Sequence, residues 1–187
     1  MKTDIQKIVL RTWGLMMSTS QTWEEIFNDA KEKSFKKYFI PLLLLCVAFV
    51  VAFKTIYADS KHIQTGFIYG VIALIAYLCS FYLIRYFVNK FLNKYHANKS
   101  DSMIIEKLIV YSFSVVFAIK LITTIIPSLF FLQILNVYTV YIVWESCRLK
   151  FDVNEDERGK IMLIIGGSIM FLPAIISKII LFMIPGF

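Results

Sequence analysis

Apolar and polar positions fall in long blocks along this chain. From about residue 38 onward, five apolar runs stand out, at 38–57, 66–88, 108–126, 129–144 and 161–184, with charged or proline-containing links between them. A run of about 18 or more residues with few charges matches the length of a helix crossing a hydrocarbon core of roughly 30 Å. The pattern therefore predicts an all-α fold: a polytopic membrane helical bundle of five transmembrane helices. The first run opens at Tyr38, with Pro41 in its first helical turn, where proline is tolerated. The second is closed by Arg85 and Lys90, the third ends at Pro127, and the fifth at Pro185 and Gly186. The fourth is short for a crossing, and only Pro127 and Ser128 separate it from the third, which predicts a tight hairpin. It either crosses, tilted or in a thinned bilayer, or re-enters partway under cover of its neighbours.

Residues 1–37 follow a different rule and form a cytoplasmic amphipathic segment ahead of the bundle at 38–187. Ile5, Ile8, Val9, Trp13 and Met16 recur at helical spacing among Lys2, Lys7 and Arg11, until Gly14 and the polar stretch Ser18–Thr22 break the pattern. A second helix is expected to start at Trp23, because Thr22 with Glu25 three residues on reads as a capping box. Trp23, Ile26, Phe27 and Ala30 make its apolar stripe, and Lys31, Lys33, Lys36 and Lys37 follow. Two readings stand side by side. Either both helices lie in the membrane interface, held by apolar burial and by anionic lipid, or they cap the bundle from below. On the first reading Trp23, Ile26, Phe27, Lys33, Lys36 and Lys37 form a surface for a protein partner or lipid.

Composition agrees with lipid as the main solvent. The chain is 58% hydrophobic and 18% charged, against about 45–50% and about 25% in an average soluble domain. The net charge of +7 is no sign of nucleic acid, because the basic residues sort by side. Sixteen of the 20 Lys and Arg fall in the N-terminal segment and in the links between spans two and three and spans four and five. Positive charge marks the cytoplasmic side, which puts the N-terminus in and the C-terminus out. The first apolar run begins too late for a cleaved signal peptide, so the first span itself is expected to direct insertion. In a bacterial cell, helical spans point to the inner membrane, since outer-membrane proteins are typically barrels.

No catalytic constellation is visible, and the expectation is a non-enzymatic protein without cofactor or metal. His62 and His96 fall in links on opposite sides, and no HExxH, GxSxG or phosphate-binding loop occurs. Cys46 and Cys79 lie within apolar runs and Cys147 just beyond one, with no metal-ligand spacing. Gly166-Gly167-Ser168 reads as a close-packing point between helices.

The intramembrane polar residues are the other candidates. Lys120 and Lys178 each precede a proline by seven residues, at similar depth in the outer halves of spans three and five, and Lys54 is placed comparably in span one. Ionisable groups in a membrane suggest function, here a basic outward-facing pocket for an anion or a lipid headgroup. The alternatives are that all three snorkel to the interface, or that they pair with Asp59 or the C-terminal carboxylate. Gln133 and Asn136, in the short fourth span, either bond neighbouring helices or line a solute path. The acidic cluster Asp152, Glu155, Asp156 and Glu157 is either a solvated link or a dock for basic residues.

The layout resembles the Yip-one domain family of Ypt/Rab-interacting membrane proteins in its bacterial form. The likeness rests on Thr22-Trp23-Glu24-Glu25-Ile26 before the first span and on Tyr38-Phe39-Ile40-Pro41-Leu42 at its start. It rests also on the tyrosine-rich stretch from Val137 to Glu145 and on the charged link leading through Gly159-Lys160 into the last span. The resemblance implies one five-span domain with a cytosolic N-terminus. It also implies a role in membrane organisation or trafficking through membrane proteins or lipids, with no catalytic residues to carry over. A small transporter or channel for an anion or lipid-like solute is the alternative function, and the bilayer, other membrane proteins or further copies of the chain are the partners.

Overall fold

The computed structural model describes residues 4–29, 34–57, 63–95, 102–150 and 155–184. Lys31, Lys33, His62, His96, Asp59 and Asp152 lie outside them. The described residues form α1 (Asp4–Met17), α2 (Thr19–Asn28), α3 (Ile40–Tyr57), α4 (Ile63–Tyr95), α5 (Ser102–Ile125), α6 (Tyr138–Lys150) and α7 (Glu155–Met183). A π-helical turn, Phe35–Phe39, leads into α3, and a 3-10 helix, Pro127–Val137, leads into α6. Five segments are long and apolar enough to cross a membrane: Phe35–Tyr57, Ile63–Lys90, Ser102–Ile125, Pro127–Lys150 and Arg158–Met183.

α5 is the hub. Every residue from Leu108 to Phe117 is buried, as expected of a helix that is apolar all round. α3, α4, α7 and α6 form an arc about it, α3 packing on α4, α4 on α7 and α7 on α6, with α5 against α3, α6 and the 3-10 helix. Two glycines set the α3–α4 distance. A β-carbon on Gly66 would lie 2.5 Å from the Val51 carbonyl oxygen, and one on Gly70 would lie 2.3 Å from a Val51 methyl. Gly66 and Gly70 are spaced as in the motif that lets membrane helices approach closely. Gly166 does the same between α7 and α6: its β-carbon would lie 3.0 Å from the Val140 Cα, so the expected close-packing point is present.

Several boundaries differ from the sequence pattern, each for a physical reason. The first span starts before Tyr38, which moves Pro41 out of the first turn. A proline there removes one hydrogen bond and crowds the carbonyl four residues back. The π-helical turn relieves this, with the Ile40 N–H reaching back to the Phe35 carbonyl. The fourth span is not short. It runs from Pro127 to Lys150, and its 3-10 half rises about 2.0 Å per residue against about 1.5 Å for α-helix. Eleven residues thus cover the distance of about fourteen or fifteen, although Leu129 (φ −88°, ψ 25°) kinks the first turn.

At the N-terminus, α1 runs through Gly14 and the break falls at Ser18 alone. The expected capping box is absent, because α2 begins at Thr19 and the Thr22 hydroxyl donates to the Ser18 carbonyl from inside the helix. The two helices form a hairpin docked on the bundle's basic end. Arg11 donates to the Tyr111 hydroxyl and pairs with Asp29 at 2.8 Å. The Thr12 and Tyr38 hydroxyls share a hydrogen bond of 2.6 Å. Buried Lys107 donates to the carbonyls of Ile26 and Asp29, both at 2.8 Å, and so caps the end of α2. Removing Arg11 leaves the Asp29 carboxylate without this partner, so Arg11→Met is expected to loosen the hairpin. Faster proteolysis of residues 4–29 in native vesicles checks this.

Candidate functional site

The two clusters of residues singled out in the sequence meet different fates. Trp23 and Ile26 are inside the protein, at 0% and 1% exposure. The Trp23 indole N–H donates to the Ile142 carbonyl at 3.0 Å, and its ring stacks on Phe27. A partner cannot touch these two residues in this conformation, so the expected surface is corrected: the apolar stripe of α2 is used up in docking on α5 and α6. Phe27 is half-buried under Lys150, and only Lys36 and Lys37 are fully exposed. The hairpin therefore caps the bundle. Its outward side is apolar on α1, through Val9, Leu10, Trp13 and Met17, and polar on α2, through Gln21, Glu24, Glu25 and Asn28. Glu155 and Asp156 are exposed at the start of α7.

The intramembrane polar residues converge at the opposite end of the bundle. There the bundle holds a chamber of about 340 Å³ lined from all five spans. α3 contributes Lys54, α4 Tyr69 and Tyr77, and α5 Lys120, Thr123 and Thr124; the 3-10 helix adds Gln133 and Asn136, and α7 adds Pro173 and Ser177. Thr123 and Thr124 share a helix face with Lys120 because they lie three and four residues on. Lys178 is not part of it: it is exposed on the outside of α7, while Ser177 takes the inward position. Sequence depth placed Lys120 and Lys178 alike, and helix rotation separates them.

The chamber's electrostatics are one-sided. Lys54 and Lys120 face the same space closely enough for their charges to interact, and the Lys54 ammonium sits 5.1 Å from the Tyr69 ring centre. Among the described residues no Asp or Glu lines the chamber. The described carboxylates all belong to the other end, on α1, α2, the start of α5, the end of α6 and the start of α7. The Asn136 amide oxygen is buried with no hydrogen-bond partner, so it does not serve as a bond between helices.

Toward the basic end the chamber is shut by aromatic rings. Tyr77 packs on Phe117 (ring centres 4.8 Å apart), and Phe39 packs on Phe81, Phe113 and Phe117 (5.0–5.5 Å). These rings fill the bundle centre with buried side chains. Among the described residues no group of three or more His, Cys, Asp or Glu could hold a metal.

One further feature escaped the sequence reading: the Gly66–Gly70 spacing, readable as a helix-packing motif. Lys54, which the sequence set beside Lys120 and Lys178, does line the chamber. Comparison with known proteins finds no match among family models, curated proteins or solved structures. What the chain and its fold establish together is a polytopic membrane protein, a helical bundle with five long apolar helices and a docked N-terminal hairpin.

Proposed function

We propose that the protein is a non-enzymatic integral membrane protein that works by binding, and that its site is the lysine-lined chamber, which takes an anion. One observation carries the reading: Lys54 and Lys120 share a cavity in which, among the described residues, no carboxylate offsets them. Lys54 is exposed and Lys120 half-buried, and two like charges on one cavity repel each other; membrane proteins offset such charges with a counter-charge or use them for function. A bound anion supplies that counter-charge. The described lining residues include no His, Asp or Glu, which supports binding rather than catalysis, since the lining hydroxyls have no such base among them. The aromatic closure supports binding rather than a through-pore, because the chamber ends blindly in this conformation.

The setting belongs to the same proposal. The positive-inside count puts the basic end in the cytoplasm and the chamber in the outer half of the bilayer. Membership of the Yip-one domain family is supported by the five-span layout and by the tryptophan helix before the first span. The buried Trp23 then has a structural role in this chain, and partners would meet Lys36, Lys37 and the outer faces of α1 and α2.

The test is ligand-induced stabilisation in detergent, using a panel of inorganic anions and anionic amphiphiles. A ligand that binds only the folded state raises Tm in proportion to its concentration over Kd. At least one member is expected to raise Tm of the native protein, and Lys54→Met or Lys120→Met should weaken its binding about tenfold or more each. Equal shifts in the native protein and in the double variant would remove the chamber from the function.

A further inference from the structure

We infer that the chamber's ligand is a lipid of the adjacent leaflet, with an anionic phosphate headgroup that also carries a hydroxyl, and that it enters sideways between α3 and the 3-10 helix. The inference rests on the anion-binding reading above and narrows its ligand class.

A second cavity of about 300 Å³ shares Lys54, Lys120, Thr123, Thr124 and Gln133 with the chamber, so the two adjoin across these side chains. Its remaining walls are Phe53, Tyr57, Pro127 and Phe130, which makes the space polar within and apolar at the mouth. α3 packs on α4 and α5, whereas the 3-10 helix packs on α5, α6 and α7, so these two elements are the lips of a cleft lying over α5. At the far end the Tyr57 hydroxyl donates to the Ile125 carbonyl at 2.9 Å, which ties α3 to the end of α5. The open side therefore faces the hydrocarbon, where Phe130 is 69% exposed. A water-borne anion has no use for such a mouth. An amphiphile does: its phosphate reaches the two ammonium groups while its acyl chain stays against Phe53 and Phe130.

Asn136 narrows the headgroup. Asn136 lines the chamber, and its amide oxygen, closed off from the cavity in this side-chain rotamer, has no hydrogen-bond partner among the described residues. An unmet buried acceptor is costly, and a ligand hydroxyl meets it when the amide turns into the chamber. A cationic headgroup would be repelled by the lysines, and a choline headgroup has no N–H or O–H to give. A polyol attached to the phosphate satisfies both requirements.

The experiment is native mass spectrometry of the full chain released from mild detergent, with dioleoylphosphatidylglycerol, dioleoylphosphatidylcholine, glycerophosphoglycerol and inorganic phosphate as probes. Phosphatidylglycerol is expected to give a one-to-one adduct. That adduct should weaken at least tenfold in Lys54→Met/Lys120→Met, and likewise in Phe130→Glu, which puts a repelling charge at the mouth. Phe130 is on the surface, so the second variant should keep the native Tm. Asn136→Leu should erase most of the preference over phosphatidylcholine. If glycerophosphoglycerol or inorganic phosphate competes at matching concentrations, or if Phe130→Glu binds the lipid normally, the lateral lipid inference is overturned while the anion site stands. If the two lipids bind alike in the native protein, the headgroup assignment fails. If no probe depends on the lysines, the inference and the anion-binding reading fall together.

Discussion

Trp23→Ala is expected to destabilise the protein by about 3–5 kcal/mol, the usual cost of truncating a fully buried tryptophan. The side chain is completely enclosed, stacks on Phe27 with ring centres 5.1 Å apart, meets the Tyr111 ring edge-on at 6.2 Å, and donates to the Ile142 carbonyl. Alanine removes all of these and leaves a cavity where α2 meets α5 and α6. Trp23→Phe keeps much of the packing and gives up the hydrogen bond, so a smaller loss, of about 1 kcal/mol or a little more, is expected. Thermal unfolding can be followed with a fluorogenic maleimide in a Cys79→Ser background, because Cys46 and Cys147 are buried and react only on opening. A Trp23→Ala protein as stable as its parent would show that the hairpin is not docked in solution.

Gly66→Leu is expected to be the most damaging change within the bundle. Even the first added carbon would lie 2.0 Å from the Thr55 hydroxyl and 2.5 Å from the Val51 carbonyl oxygen. A side chain can rotate aside, but a carbonyl inside a helix cannot, so α3 and α4 must separate. Overpacking of this kind costs about 1–3 kcal/mol, with larger values for larger side chains. Gly70→Ala should be milder, since the obstacle there is a Val51 methyl. The same unfolding assay gives the order Gly66→Leu, then Gly66→Ala, then Gly70→Ala. Because Lys54 and Tyr69 face each other across this seam, Gly66→Leu should also weaken ligand binding to the chamber. Gly70→Ala as the most destabilising of the three would contradict the geometry.

The five-span bundle was readable because long apolar runs report directly on the solvent around them. Details set by backbone geometry were less so. Pro41 announces trouble in a helix, but whether the helix starts there or passes through on a π-helical turn depends on Phe39 having a core to enter. The short apolar run at 129–144 concealed a full-length span because residue counts assume α-helical rise, and the 3-10 half stretches farther. Thr22 and Glu25 matched a capping box, yet packing of Thr19 and Trp23 against α6 drew the start of α2 back by several residues.

The chamber was half legible. Lys120, Gln133 and Asn136 were singled out as polar groups in apolar surroundings, and all three line it. Lys178 satisfied the same criterion and points elsewhere. A one-dimensional pattern gives depth along the membrane normal, while rotation about the helix axis is settled by contacts such as Gly166 against Val140. Trp23 is the converse case: the motif was noticed, but an amphipathic stripe looks the same whether lipid, a partner or the protein's own bundle covers it.

The docking of the N-terminal hairpin also constrains how the chain matures on the ribosome. The first helices made find their partners late: Lys107 reaches the Ile26 carbonyl across 81 positions, and Trp23 reaches Ile142 across 119. α1 and α2 leave the exit tunnel before span one has entered the membrane, and they stay unseated until span four has followed it. Contacts this distant in sequence form slowly because a long loop must close first. The opening segment is thus the last piece to settle. Until it does, Lys107 and Tyr111 lack the contacts that α1 and α2 bring to them at the basic end of the bundle.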